Sequence, residues 1–546
     1  MEHIVEGVSI TAIDGTMFIL ESPRKKQLNT NILRPVTRKD YENVSHLLWS
    51  GTNFLNQPHQ HYSHMAHLRR GARSAKRSTF LVLAPLLLSV LIDLPKTAAQ
   101  SINGLPGDPQ KRFPFYDQLK DPLLLTPFIM TGDLEYGRNL SRVNGFKQIA
   151  GDLESYSGFL TVNETHFSNI FFWYFPAETL VSLGYSFTAP AGRPKSLAES
   201  TEDLYAALVQ FYALFPVVSV FPLYLTGQSY SGKFVPSLAR KIGTRNKALR
   251  ANQRQSSTVT SALRLQMLLP LEGIIIGNPM IHPKQNFHYG DFLFGHGLID
   301  EVQRNHFELR ANESVQLADE GKWEESVDVM DQLIFGAFRN DTYFKRVTGF
   351  DQYHSVRGPR DTYLFTPSYA AADAFLSSVT TRRNLHVGEM PFFSFSEETL
   401  RNFKGDMAQS QLENLEFALD NYRVMLYYGS LDIICNFEAG RRIINDARRW
   451  NRYEEWLRTN QKPWKAKFAD LVRYGFGSGH GDTMPPSPAN VNDEVTFGYV
   501  TQLPKINKSR NDFVFLVVLG AAHSALQDRP EIMQHAVDTF LRHGKF

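Results

Sequence analysis

Four near-continuous apolar runs constrain this chain more than any other feature: PLYLTG (residues 222–227), LEGIIIGN (271–278), YRVMLYYG (422–429) and DFVFLVVLG (512–520). A half-exposed strand alternates apolar with polar residues. An unbroken run of Ile, Val, Leu and aromatic residues instead belongs to a strand covered on both faces, as in a parallel sheet flanked by helices. SGFLTV (157–162) and NIFFWYF (169–175) read as two further strands. Apolar residues at helical spacing over Leu204–Phe215 and Phe234–Ile242 bracket PLYLTG, and this alternation predicts an α/β fold with a mostly parallel central sheet. Residues 243–265, basic and rich in Gln, Ser and Thr, read as a surface loop. Between Asp291 and Asp420 no strand run stands out, and segments such as EGKWEESVDVMDQLIFGAF carry helical spacing. The expected organisation is therefore a first sheet part over 100–290, a helical cap over 291–420 and a second sheet part over 421–546.

The chain before residue 100 follows other rules. Residues 1–64 show no sustained period, and residues 1–78 read as a polar extension. His59, His61, His64 and His67 lie there in a polar setting with no carboxylate near and no helix to fix their spacing, which describes a solvated tail better than a metal site. Residues 79–99 have the layout of a secretory signal or anchor: Arg69, Arg70, Arg73, Lys76 and Arg77 precede the apolar run Phe80–Ile92, and Thr97, Ala98 and Ala99 follow it. The run falls short of the ~20 residues that span a bilayer, so contact with a membrane is expected only if residues 80–92 stay as an uncleaved anchor. Either form predicts the secretory pathway, with a secreted or lysosomal destination, and cleavage would follow Ala99. Five N-x-S/T sequons beyond the run, at Asn139, Asn163, Asn312, Asn340 and Asn507, agree with glycosylation there. The single cysteine, Cys435, excludes disulfides within the chain, and a net charge of +3 gives no nucleic-acid footprint.

The chemistry concentrates in LYLTGQSYSGKFVPSLARKI, where an apolar strand runs into Gly227, Gln228, Ser229, Tyr230, Ser231 and Gly232 and then a helix. Such a turn lifts a serine hydroxyl onto a helix N-terminus at the carboxyl edge of a sheet. By the strict G-x-S-x-G pattern it is imperfect, because Ser231 holds the last glycine position. A serine needs a histidine to take its proton and an acid to hold that histidine's tautomer. Asp432 follows YRVMLYYG and His523 follows DFVFLVVLG, giving Ser, Asp, His in the chain order of α/β-hydrolases. His480 is the rival base, in the glycine- and proline-rich loop 475–493, which does not follow a strand in a GxGxxG pattern and gives no nucleotide site. No metal or organic cofactor is implied.

Several stretches resemble serine carboxypeptidases, most closely the vitellogenic carboxypeptidase-like group: SYSGFLTVNETHFSNIFFWYFPAE, GYSFT, GQSYSGKFVP, GIIIGNPMIHP with DFLFGHGLID, VMLYYGSLDII and GAAH, together covering roughly residues 120–546. The resemblance implies an α/β-hydrolase that releases C-terminal residues from peptides with a free C-terminus. Ser229 would be nucleophile, His523 general base and acid, Asp432 its orienter, and the Tyr230 N–H an oxyanion donor. It also implies a homodimer, for which the sequence offers no interface. Two departures stand out. Family members carry a long block with a W-x-N/Q-G-G-P-G motif before GYSF, whereas here Glu178 is followed by Thr179 and Leu180 before VSLGYSF. The implied sheet is short of two strands, and one of two oxyanion donors is missing, a loss typically worth about 10²- to 10³-fold in rate. At the second departure, Gln228 stands where most members have a glutamate that binds the substrate carboxylate. Two other readings stay open: a catalytically inactive carboxypeptidase-like binding protein, and an esterase or acyltransferase on the same scaffold.

Overall fold

The computed structural model describes residues 8–13, 16–21, 121–146, 154–176, 179–181, 184–255, 267–339, 341–358, 373–393, 396–467, 494–504, 512–542 and 544–546. The strands are β1 (Val8–Ile13), β2 (Thr16–Glu21), β3 (Tyr156–Asn163), β4 (Ser168–Phe175), β5 (Thr179–Val181), β6 (Leu223–Gln228), β7 (Leu271–Gly277), β8 (Arg423–Gly429), β9 (Lys462–Lys467), β10 (Glu494–Leu503) and β11 (Phe513–Val518). They form one sheet in the order β3-β4-β5-β1-β2-β6-β7-β8-β11-β10-β9, with additional pairings of β1 with β6 and of β2 with β5. The run β6-β7-β8-β11 is parallel throughout, and antiparallel pairs flank it at both ends of the sheet.

These four parallel strands are the four apolar runs, and their burial explains why they are unbroken. Leu223, Leu225, Ile274, Ile276, Val424, Leu426, Phe513 and Phe515 enter one core, while Tyr224, Ile275, Met425, Tyr427, Val514 and Leu516 enter the core on the opposite face. The period of two is intact, but both faces are dry. The first face packs on helices α1 (Leu197–Leu214), α2 (Ser231–Gln255), α5 (Leu412–Asn421) and α6 (Phe437–Asp446); the second packs on α7 (Pro530–Leu541). Helices α3 (Glu301–Asp319) and α4 (Trp323–Met330) lie between β7 and β8, where the described residues include no strand. A third core joins this helical segment to the sheet through Met280, Phe307, Met330, Ile433 and Cys435.

Three sequence expectations are corrected. Helix α2 runs to Gln255, well into the segment 243–265 read as a loop; Lys, Arg, Ala and Gln are good helix formers, and neither Gly nor Pro follows Gly243 in this helix. The polar extension 1–78 contributes β1 and β2. The expected shortfall of two strands is also not found, because β1 lies parallel to β6 from Val8 opposite Leu223 to Ile13 opposite Gln228, and β2 pairs antiparallel with β1. A fully buried strand such as β6 needs a ladder partner on each side, and VSITAI and TMFILE, joined in sequence by Asp14-Gly15, have hairpin composition. Residues 79–99, the histidine cluster and the loop 475–493 with His480 lie outside the described residues. Among the described residues, no helix is long and apolar enough to cross a membrane.

Candidate active site

Ser229 sits one residue past β6 and has φ 60°, in the left-handed region that a non-glycine residue rarely adopts. Such a residue costs about 1–3 kcal/mol and persists only where its surroundings over-determine it. Here they do. The Ser229 N–H donates to Gly277 O at 2.9 Å, and Ser229 O accepts from the N–H groups of Gly232 and Met280, both at 2.9 Å. The same crowding resolves the imperfect elbow pattern. A Cβ on Gly232 would stand 2.6 Å from Met280 O and 2.8 Å from Met280 N, so the position that must be glycine is 232, one later than the strict pattern. Ser231 is fully buried without needing that exception.

Asp432 and His523 leave β8 and β11 at the same sheet edge. His523 Nε2 lies 2.9 Å from Ser229 Oγ, and His523 Nδ1 lies 2.9 Å from Asp432 Oδ2. The structure thus brings Ser229, His523 and Asp432 into one hydrogen-bonded line from the exits of β6, β8 and β11. Asp432 is wholly buried and His523 nearly so. The carboxylate also accepts from Asn278 Nδ2 at 2.6 Å, Ile434 N at 3.1 Å and Cys435 N at 3.3 Å. Asn278, with φ 41°, is a site residue that sequence reasoning passed over. Its Oδ1 accepts from Gly429 N at 3.2 Å, so one amide joins the end of β8 to the acid. The only signal in the sequence was an Asn directly after a buried strand.

Tyr230 follows the nucleophile at the N-terminus of α2, and its N–H enters no hydrogen bond among the described residues. Its ring packs on Phe234 against the third core. Gln228, the last residue of β6, is fully buried; Ser524 Oγ approaches its Oε1 at 3.5 Å, and its Nε2 has no partner among the described residues. One turn into α2, Lys233 Nζ donates to the carbonyls of Asp406 and Met407 at 3.1 and 3.0 Å and to that of Gln409, which ties the nucleophile helix to the segment before α5. Burial pulls the Lys233 ammonium down to about 7, and the Asp406 carboxylate opposes that shift. Of the sequon residues, Asn139 and Asn312 are exposed, Asn163 is half-buried, and Asn340 and Asn507 lie outside the described residues. A cavity of about 600 Å³ lined by Arg240, Gln411, Glu413 and Arg449 contains none of these site residues.

A serine carboxypeptidase family profile matches residues 177–543. The chain belongs to the serine carboxypeptidase family. The match begins two residues before Thr179, where the block expected of the family is absent. Among named serine carboxypeptidases, the human "probable serine carboxypeptidase CPVL" is 28% identical over 425 residues, covering 66% of this chain and 83% of its own. The venom serine carboxypeptidase of Apis mellifera is 28% identical over 401 residues, covering 63% and 81%. The vitellogenic carboxypeptidase of Aedes aegypti is 28% identical over 385 residues, covering 58% and 75%. Among solved structures, the prohormone-processing carboxypeptidase Kex1Δp of Saccharomyces cerevisiae aligns with a TM-score of 0.49 at 14% identity, over 71% of this chain and 91% of that one. As a member of the serine carboxypeptidase family, the chain has an α/β-hydrolase sheet.

Proposed function

We infer that this chain hydrolyses the last peptide bond of peptides with a free C-terminus, through an acyl-enzyme on Ser229. The observation that carries the reading is the hydrogen-bonded line Ser229, His523, Asp432. Ser229 Oγ attacks the carbonyl carbon of the scissile bond while His523 Nε2 takes its proton. The C–N bond breaks, and the same proton passes to the leaving amino group. Water then attacks the Ser229 ester, its proton goes to His523, and release of the shortened peptide returns that proton to Ser229. Asp432 holds Nδ1 protonated and stabilises the imidazolium. The Tyr230 N–H, free of hydrogen bonds among the described residues, serves as the oxyanion donor. With one donor assigned, turnover about 10²- to 10³-fold below a two-donor site is expected.

Gln228 Nε2, without a partner among the described residues, supports recognition of the substrate's terminal carboxylate, because a buried N–H without an acceptor costs free energy that such a ligand recovers. The test compares one blocked dipeptide as free acid, amide and methyl ester. Release of the C-terminal residue from the free acid, with the amide at least about tenfold slower in kcat/KM, is expected from one buried charge-assisted hydrogen bond. Cleavage of the ester alone would overturn the carboxypeptidase reading in favour of an esterase, and no cleavage of any of the three in favour of an inactive binding protein.

A second prediction concerns pH. Gln228 has no proton to lose, so it adds no limb to the pH dependence of KM for free-acid peptides. In Gln228→Glu, burial raises the new carboxyl above its usual ~4.3. Below that raised value the neutral acid can donate to the substrate carboxylate; above it, two carboxylates face each other. KM for the free acid is therefore expected to rise with pH in the variant and to lack that rise in the parent. A variant profile that overlays the parent's would remove Gln228 from the carboxylate site.

A further inference from the structure

Residues Tyr353–Gly358 come from the helical segment between β7 and β8, yet they bind both the Asp432 loop and the His523 loop. Val356 N–H donates to Leu431 O at 2.9 Å, beside Asp432. His523 N–H donates to His354 O at 3.0 Å. Arg357 Nη2 donates to Gly520 O at 2.7 Å, three residues before His523. The His354 ring lies against the His523 ring, with centroids 5.1 Å apart and planes at 54°. Three hydrogen bonds and one ring contact thus converge on the Asp432 and His523 loops from a segment that no site motif includes.

We propose that His354 is a positioning residue for His523: the strap Tyr353–Gly358 clamps the two loops together, and the His354 ring packs, tilted, against the catalytic imidazole. The proposal rests on the reading of His523 as general base. Hydrogen bonds to Asp432 and Ser229 fix the His523 ring within its own plane, but neither resists tilting out of it. A ring packed against the imidazole does, and it keeps water from that side. Burial and the neighbouring His523 both hold His354 well below the ordinary histidine range, so the packed ring stays uncharged when His523 takes a proton. The other ionisable groups nearby come from several elements: Asp432 after β8, Tyr353 and Arg357 on the strap, with the Tyr353 ring centroid 4.7 Å from that of His354, and Asp528 and Arg529 ahead of α7, where Asp528 accepts from Ala522 N at 2.6 Å.

The test uses the full chain as His354→Ala and His354→Phe, with two readouts. One is the titration of His523 followed by NMR of [15N]histidine-labelled protein, assigned by its loss in His523→Gln. The other is the pH profile of fluorophosphonate labelling. His354→Ala opens that side of the ring to water, which favours the imidazolium, so the His523 pKa is expected to rise by about one unit. The labelling rate is expected to fall by at least about tenfold, since small misplacements of a catalytic group cost up to ~10²-fold. His354→Phe restores a ring without titratable nitrogens and is expected to return both readouts to within about threefold of the parent. An unchanged His523 titration in His354→Ala overturns the proposal, as does a His354→Phe protein that melts like the parent but behaves like His354→Ala. A parent chain that does not label would count against the hydrolase reading alone, because the titration needs no turnover.

Discussion

Ser229→Ala is expected to abolish fluorophosphonate labelling and to lower peptide turnover by as much as about 10⁶-fold, the loss found when a triad serine is removed, equivalent to roughly 8 kcal/mol of transition-state stabilisation. The measurable interval should be narrower. With one oxyanion donor assigned, the parent starts about 10²- to 10³-fold low, so the ratio between parent and variant is expected nearer 10³ to 10⁴. The fold should not confound the result. Ser229 keeps its left-handed backbone through Gly277, Gly232 and Met280, all of which bond its main chain rather than its hydroxyl. The alanine variant should therefore melt within about 2 °C of the parent. Undiminished labelling in that variant would mean that another nucleophile reacts and that the elbow is only a tight turn.

Asp432→Asn is expected to lower kcat by about 10⁴-fold, because an amide stabilises the wrong tautomer of its histidine partner and carries no charge to oppose the imidazolium. Stability should suffer as well. Asp432 accepts from Asn278 Nδ2, Ile434 N and Cys435 N besides facing His523, so three donors converge on a carboxylate that is an acceptor at both oxygens. The asparagine NH₂ must face at least one of them, and one buried donor left unsatisfied costs about 1–3 kcal/mol. Turnover against temperature and a denaturant melt check the two effects separately. A variant with parental kcat would show that Asp432 buttresses the loop without taking part in the reaction.

The four parallel strands were legible because both of their faces are dry, which turns an alternating pattern into an unbroken one. The edges were not. In β9, Lys462, Lys465 and Lys467 face solvent and only Trp464 and Ala466 are buried, so KPWKAK resembles a charged loop. The hairpin β1–β2 carried a usable signal, Asp14-Gly15 between two β-prone hexamers, but it sits in a segment whose overall composition is polar. The site was readable to the extent that it follows strand exits: Ser229, Asp432 and His523 each come just after an apolar run. Asn278 also follows one, but nothing in a sequence aims its amide at Asp432. His354 lies in a non-helical strap of the insertion between β7 and β8, and only the folded chain brings it to His523.

The register of β1 against β6 bears on how the polypeptide is made and trimmed. Strands that exchange hydrogen bonds from Val8–Leu223 to Ile13–Gln228 must lie on the same side of any membrane. A chain held in the bilayer by residues 80–92 would put those two strands in different compartments. A chain cut after Ala99 would keep β1 only as a separate, non-covalently retained peptide. Export through that segment and this sheet therefore describe two different molecules, and Edman sequencing of the purified, probe-reactive protein identifies the working one. A first cycle of methionine or glutamate alone from Met1-Glu2 means that β1 is still joined to the chain it pairs with, that residue together with glutamine from Gln100 means a retained peptide, and glutamine alone means that the site operates with that slot vacated.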